Sequence, residues 1–263
     1  MKNNLSVCTD DTCTGLVLKE TLRGEGDKMI TVLTAKYGVI DILAKGVKNP
    51  KSKNAYAVQP FCYSEFELIT RNYMYLLKTA TIKDTHYYVR NDVEKFALAS
   101  YFAEVALTVC TENNDETEML RLMLNSFYAL SKMDAVPLWK IKAAFEINCM
   151  VISGFMPELV RCGTCDKELA DCKTKSGSYI FSLSDGTVLC PECASSYDVT
   201  YNFEISEGVL AAISKIVNEP QSKMLSYSIS DEDIEVFALL CERFLVYHTC
   251  KHYKTLDFYK SLN

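Results

Sequence analysis

Two C-x-x-C pairs, Cys162-Gly163-Thr164-Cys165 and Cys190-Pro191-Glu192-Cys193, constrain this chain more than any other feature. A tight turn after the first cysteine of each pair brings two thiolates to about 2.3 Å from one ion, and two such knuckles complete a tetrahedron of sulfur. The 24 residues between them exceed the usual ribbon spacing, so a hairpin around Ser184-Asp185-Gly186-Thr187 is expected to return the chain. The expected cofactor is therefore one structural Zn2+ held by Cys162, Cys165, Cys190 and Cys193. A redox dithiol would need a strand-to-helix context that neither pair has. Cys172, the spare thiol between the pairs, is expected to be a bystander.

Cysteine usage points the same way. Five of the twelve cysteines lie between Cys162 and Cys193, and such clustering in a long chain favours metal over disulfides in a reducing compartment. Cys62, Cys110, Cys149, Cys241 and Cys250 fall in apolar-patterned stretches and are expected to be buried thiols. No apolar run approaches the roughly 20 residues of a membrane span, and Met1 to Cys13 is polar rather than a charged-then-apolar signal. A cytoplasmic protein with no membrane partner is expected.

Catalytic chemistry finds little support. A hydrolytic zinc site needs an open coordination position and a general base, and His86, His248 and His252 stand in neither H-x-E nor H-E-x-x-H. His248 and His252 have i, i+4 spacing, which reads more simply as an exposed pair on a terminal helix. No nucleophile elbow, P-loop or dinucleotide fingerprint occurs, and Gly24-Glu25-Gly26 is too short to cradle phosphate. The chain is not expected to be an enzyme.

Charge is unevenly distributed. Residues 1–80 carry eleven Lys and Arg against eight Asp and Glu, net +3, which leaves 17 against 26, net −9, for the remainder. No acidic residue falls between Asp41 and Glu65, while Lys45, Lys48, Lys51 and Lys53 crowd into that stretch. A uniformly positive loop suits phosphate contact and counterion release. Arg23, Lys28 and Arg71 are further candidates for phosphate contact on a nucleic acid. Tyr56, Phe61, Tyr63, Tyr73 and Tyr75 could supply stacking platforms for unpaired bases, although some must fill a core.

Hydrophobic periodicity divides the chain. Short runs rich in β-branched and aromatic residues, Thr14–Glu20, Lys28–Thr34, Gly38–Ala44, Cys62–Thr70 and Tyr73–Ile82, predict five strands. That number in about 70 residues fits a small closed barrel, with the OB-fold the first candidate. Beyond Asn91 the period becomes helical. Asn91 with Glu94, and Asp115 with Glu118, read as cap pairs. Val93, Phe96, Ala97, Tyr101 and Val105 form one stripe, and Leu120, Met123, Phe127 and Leu130 another. Further helices are predicted from Pro137 to Gly154, after Ser206 and after Ser230. The expected fold is α+β and multidomain: an N-terminal OB-fold barrel over 1–82, a helical bundle over 83–157 and 201–263, and a zinc-binding insertion over 158–200.

Gly15-Leu16-Val17-Leu18, Gly24-Glu25-Gly26-Asp27-Lys28, Ala44-Lys45-Gly46, Pro50-Lys51-Ser52 and Gln59-Pro60-Phe61 resemble the N-terminal barrel of the bacterial RecO family of DNA repair proteins. The likeness continues through Ala99-Ser100-Tyr101, Gly154-Phe155-Met156-Pro157-Glu158-Leu159, both cysteine pairs and the closing segment from Lys254 to Leu262. It implies a recombination mediator that binds single- and double-stranded DNA and anneals complementary strands. With RecR, such a protein helps load RecA onto DNA covered by single-strand-binding protein (SSB), so RecA is an indirect partner. The acidic, apolar-ended tail of SSB should seek a groove flanked by cations, and the best-placed rim is Arg243 and Lys251, followed by Lys254 and Lys260. Two departures stand out: the glycine expected after the second knuckle cysteine is Asp166, and glycines common after the fourth strand are replaced by Arg71-Asn72-Tyr73. The rival reading is a zinc-containing adaptor that binds only proteins; a zinc hydrolase or nuclease ranks third.

Overall fold

The computed structural model describes residues 9–71, 73–172, 178–194 and 202–262. Period-two alternation in the first part becomes five strands: β1 (Thr9–Arg23), β2 (Asp27–Thr34), β3 (Gly38–Ala44), β4 (Tyr63–Arg71) and β5 (Met74–Asp84). They close a barrel in the order β1-β2-β3-β5-β4, the five-stranded OB-fold. Long β1 serves both β2 and β4, and an irregularity between Val17 and Lys19 lets it bend from one partner to the other. Closure comes from a parallel pairing of β3 with β5 through Ile42–Tyr75 and Leu43–Leu76. Val17, Ile30, Val32, Ile40, Ile42, Phe66 and Leu68 fill the interior.

By packing, the chain divides into two compact units, residues 1–133 with 253–263, and residues 134–252. In the first, the barrel is joined by α1 (Tyr87–Arg90), α2 (Val93–Val109), α3 (Thr117–Lys132) and the closing α8 (Lys254–Lys260). Gly38, at φ +64°, brings the β2–β3 hairpin so close to the α2–α3 link that a Cβ there would lie 1.9 Å from the Thr111 carbonyl oxygen. The Val39 N–H donates to that oxygen at 3.2 Å and the Asn113 N–H to the Tyr37 carbonyl at 2.9 Å. Asp92, rather than Asn91, caps α2: its Oδ1 accepts from the N–H groups of Glu94 and Lys95, each at 3.0 Å. Val93, expected at the head of the α2 stripe, is 60% exposed, because burial there begins at Ala97. Helix α8 lacks a local cap. The Glu104 carboxylate of α2 supplies one by accepting from the Thr255 N–H and hydroxyl at 3.2 and 2.6 Å, and Tyr253 packs edge-on against Tyr101.

The seam between barrel and helices is aromatic. Phe61, from the loop before β4, lies 5.3 Å from Phe96 and 5.2 Å from Phe127. His86 also contacts Phe127, and its Nδ1–H donates to the Phe61 carbonyl at 2.9 Å. Burial holds the His86 pKa below its ordinary value, against the opposing pull of that carbonyl. An unfolded chain then takes up the proton at higher pH than the folded one, so this contribution to stability is complete above about pH 6.5 and is lost as pH falls below it. Denaturant unfolding of the whole protein between pH 7.5 and 5.5 should show His86→Gln with a shallower loss than the parent, the difference being at most about 1.4 kcal/mol per pH unit. Identical slopes would show that the seam tolerates a charged imidazole.

The second unit contains α4 (Leu138–Ile152), a four-stranded sheet, α5 (Pro191–Ala194), α6 (Glu207–Asn218) and α7 (Ile234–Thr249). Its strands, β6 (Glu158–Cys162), β7 (Ser178–Ser182), β8 (Thr187–Leu189) and β9 (Asn202–Ser206), lie in the order β6-β8-β7-β9. Phe181 of β7 meets Phe244 of α7 edge-on at 5.4 Å. Lys142 of α4 donates to Glu146 and Glu242 at 2.8 and 2.9 Å, tying α4 to α7 through a buried ammonium. This grouping places α1–α3 with the barrel and α4, α6 and α7 with the cysteine segment, a different division from the single helical domain expected over 83–157 and 201–263. An amphipathic stripe shows that a helix has a covered face without saying what covers it. Helix α7 stops at Thr249, with Cys250 at φ +49°, so His252 lies beyond the helix and shares no helical face with His248. Cys62, Cys110, Cys149 and Cys241 are buried as expected, whereas Cys250 is exposed at that helix end. Among the described residues no helix is long and apolar enough to cross a membrane.

Candidate metal centre and nucleic-acid interface

The sheet of the second unit brings the two cysteine pairs together. Cys162 ends β6 and pairs with Val188 of β8, while Cys190 follows the end of β8, so a parallel strand pair sets both first cysteines at one edge. The β7–β8 hairpin turns at Gly186, within the predicted four residues. In the first knuckle the Asp166 N–H donates to the Cys162 carbonyl at 3.0 Å; in the second, the Cys193 N–H donates to the Cys190 carbonyl at 3.0 Å. Gly163 permits close approach, since a Cβ there would lie 2.5 Å from Thr187 Oγ1.

All four sulfurs lie within 4.8 Å of one another. A tetrahedron with metal–sulfur bonds of about 2.3 Å has edges of about 3.8 Å, and the Cys165 and Cys190 sulfurs stand 3.8 Å apart. The thiols do not ionise alike. Burial opposes ionisation of Cys162, but N–H groups of Cys190, Cys165 and Thr164 outweigh it and bring the pKa to about 6; the first donates to the sulfur at 3.3 Å. Desolvation and the neighbouring cysteines push Cys193 up to about 12. One sulfur ionises readily and another resists, a conflict that a bound cation removes by replacing protons. Four thiolates fill every tetrahedral position, which suits a structural ion and leaves none for an attacking water. Cys172 is outside the set of four, and burial followed by the charge of Cys190 raises its pKa.

Asp166 takes the conformation for which the resemblance calls for glycine: its φ is +59°. Its carboxylate pairs with Arg161 at 3.1 Å, but both groups are well exposed and the pair contributes little. Left-handed backbone costs an L-residue about 1–2 kcal/mol, less for Asp, and glycine avoids it. Asp166→Gly should therefore tighten metal binding about two- to fivefold, by this strain relief less the lost ion pair and glycine's added chain entropy. Competition against a chromogenic chelator measures this, and weaker retention by the variant would show that the Arg161 pair outweighs the strain.

The residues expected to meet DNA occupy the barrel. Lys45, Lys48, Lys51 and Lys53 are all exposed on the long loop between β3 and β4. That loop is anchored to the β1–β2 turn: the Gly46 N–H donates to Asp27 Oδ1 at 2.8 Å and the Lys48 N–H to the Gly26 carbonyl at 3.1 Å. Asn54 fastens it to β5, with Oδ1 accepting from the Ala80 N–H at 3.1 Å. Arg23 pairs with Asp27 across the same turn, and Lys28 pairs with Ala44, so both belong to the lysine end. Lys28 is engaged by Glu20 at 2.7 Å. Arg71 is apart: β3 and β5 run parallel, so the β4–β5 hairpin that carries it points away from the Lys45 end of β3. Of the aromatic candidates, Phe61 is buried in the barrel–helix seam, Tyr63 and Tyr75 are half-buried, and Tyr56 and Tyr73 are exposed. In the cysteine segment Arg161 and Lys167 are paired with Asp166 and Glu192; Lys173 and Lys175 lie outside the described residues. Asn72, in the altered hairpin, also lies outside them.

Arg243 is exposed on α7 and Lys251 half-buried just beyond it, both in the second unit, whereas Lys254 and Lys260 belong to α8 in the first. The sequence reading missed the exposed Val236, Leu239 and Tyr247, which with Arg243 repeat at helical spacing along α7. A second, outward stripe beside the buried one was the available signal.

Two family profiles match the chain. The one described as Recombination protein O N terminal covers residues 9–86, and the one described as Recombination protein O C terminal covers residues 90–257. A protein named DNA repair protein RecO from Acetivibrio thermocellus is 32% identical over 249 residues, spanning 95% of this chain and 96% of that protein. Proteins of the same name from Alkaliphilus metalliredigens and Caldicellulosiruptor saccharolyticus are 32% and 27% identical, over 68% and 94% of this chain and 70% and 96% of their own lengths.

Proposed function

Because the chain belongs to the RecO family of DNA repair proteins, we propose that it is a recombination mediator without catalytic turnover. It binds single- and double-stranded DNA, anneals complementary strands and, with RecR, helps load RecA onto DNA covered by SSB. The observation that carries this reading is the anchored loop with its exposed Lys45, Lys48, Lys51 and Lys53, held at the same barrel end as Arg23 and Lys28. Phosphates gain from several cations presented together, and backbone contact needs no base specificity. Arg71 adds a contact from the β4–β5 hairpin, apart from the lysine end.

Cys162, Cys165, Cys190 and Cys193 hold Zn2+, which supplies folding energy to the second unit and performs no chemistry on DNA. The SSB tail docks along the apolar stripe of α7, with Arg243 and Lys251 receiving its acidic residues. The working place of such a protein is the bacterial cytoplasm, at the nucleoid.

Annealing of complementary oligonucleotides, measured with and without SSB, tests the reading. The parent should accelerate annealing of both bare and covered strands at low salt. Reversing charge at Arg243 and Lys251 should slow the covered reaction while sparing the bare one. A parent that neither shifts single-stranded DNA at low salt nor anneals it sinks the proposal; equal effects of the reversal on both reactions place the tail elsewhere.

A further inference from the structure

Outside the lysine loop, the barrel carries a groove of about 480 Å³ against the outer faces of β2 and β3. Strand alternation decides what stands there: Ile30, Val32, Ile40 and Ile42 point into the barrel, so Met29 and Leu43 give the groove an apolar floor. Tyr73, Met74 and Tyr75 at the start of β5, Leu107 of α2 and Glu112 beyond it stand among its walls. Asp41 lines it too, its Oδ1 accepting from the Thr31 hydroxyl at 2.6 Å.

Three features select an occupant. Tyr73 is 101% exposed, at φ +62°, on the hairpin tip: a large ring kept out of the core at the cost of backbone strain. Asp41 and Glu112 face only Lys19 among the groove's described walls, so phosphate is repelled while N–H donors are welcome. The groove also adjoins the basic end of the barrel, because the Met29–Leu43 pair is next to Lys28–Ala44, about 3.3 Å along the strands. A strand whose phosphates meet the loop lysines can turn a base into it.

We propose that this groove seats one unpaired base of single-stranded DNA, stacked on Tyr73, with Asp41 and Glu112 favouring bases that carry an exocyclic amino group. The inference rests on the DNA-binding reading above. Cytosine presents an N4 amino donor where thymine presents the O4 acceptor; the carboxylates accept from the first and repel the second. The two bases are otherwise alike in size, so the comparison isolates that contact.

Fluorescence anisotropy of the full chain with labelled dC and dT oligonucleotides of about 15 nucleotides, a length within OB-fold site sizes, reads the effect. The parent should bind dC about fivefold tighter than dT at one salt concentration. Tyr73→Ala should weaken dC binding about fivefold or more, with Tyr73→Phe close to the parent. Asp41→Asn should remove the dC preference, and none of the three should change the salt slope, since none loses a phosphate contact. Equal parent affinity for dC and dT overturns the proposal. So does parent-like binding by both Tyr73→Ala and Asp41→Asn, which would leave the groove to another occupant, such as a cationic side chain of a protein partner. A parent that binds neither oligonucleotide removes the DNA-binding reading itself. If replacing the loop lysines flattens the salt slope while dC and dT bind alike, that reading stands and the base site does not.

Discussion

Replacing Cys190 by serine is expected to release zinc and unfold residues 158–200 while leaving the barrel folded. Structural Zn2+ contributes roughly 10–16 kcal/mol of apparent binding energy in small thiolate sites, and Cys190 is central to this one. Its sulfur stands 3.8 Å from that of Cys165, and its N–H supports the Cys162 thiolate. The two cysteine pairs have little else to join them, since β6 and β8, which carry or precede their first cysteines, are short and irregularly paired. Phe181 packs on Phe244, so α7 should loosen with the sheet. The barrel should keep its protection, because its core of Val17, Ile30, Val32, Ile40, Ile42 and Phe66 contains no residue of the cysteine segment. Hydrogen exchange resolves the two regions, and metal analysis of protein purified without chelator should find about one zinc per parent chain. No zinc in the parent, or unchanged exchange over 158–200 in the variant, would defeat the assignment.

Replacing Lys45, Lys48, Lys51 and Lys53 with alanine should give the largest change in DNA affinity. Each phosphate contact adds about −0.7 to the log–log salt slope on single strands and about −0.9 on duplex, so four contacts account for about −2.8 and −3.6. Between 50 and 200 mM salt, the parent should then lose about 50-fold more single-strand affinity than the variant. The loss should be similar for unrelated sequences, because backbone contacts carry no base information directly. All four side chains are exposed, and the loop is held by the Gly46 and Lys48 N–H groups on Asp27 Oδ1 and the Gly26 carbonyl and by the Asn54 side chain on the Ala80 N–H, so the substitutions should leave its course intact. Equal affinity and equal slope in parent and variant would show the loop to be only a solvated surface.

Local patterns were enough to place most of the elements. Runs rich in β-branched and aromatic residues located all five barrel strands, and β3 falls on the predicted Gly38–Ala44, because such side chains fit a pleated, half-covered surface. The cysteine spacing named the four sulfurs that the structure gathers, since a C-x-x-C turn is a local geometry that requires no knowledge of the fold. Family membership was likewise legible from short motifs spread along the whole chain. What depends on neighbours distant in sequence was not. The Glu104 cap of α8 spans 151 residues, and the contact that demands glycine at position 38 comes from Thr111. Periodicity marked the helices as half-buried but could not assign them to units, because an apolar face is satisfied by any apolar partner. Arg71 reads in sequence as one more cation on the barrel, and the parallel β3–β5 pairing sets it away from the lysine end. That same pairing sets Tyr73 beside Asp41 in one groove, because residues 32 positions apart become neighbours only when the barrel closes.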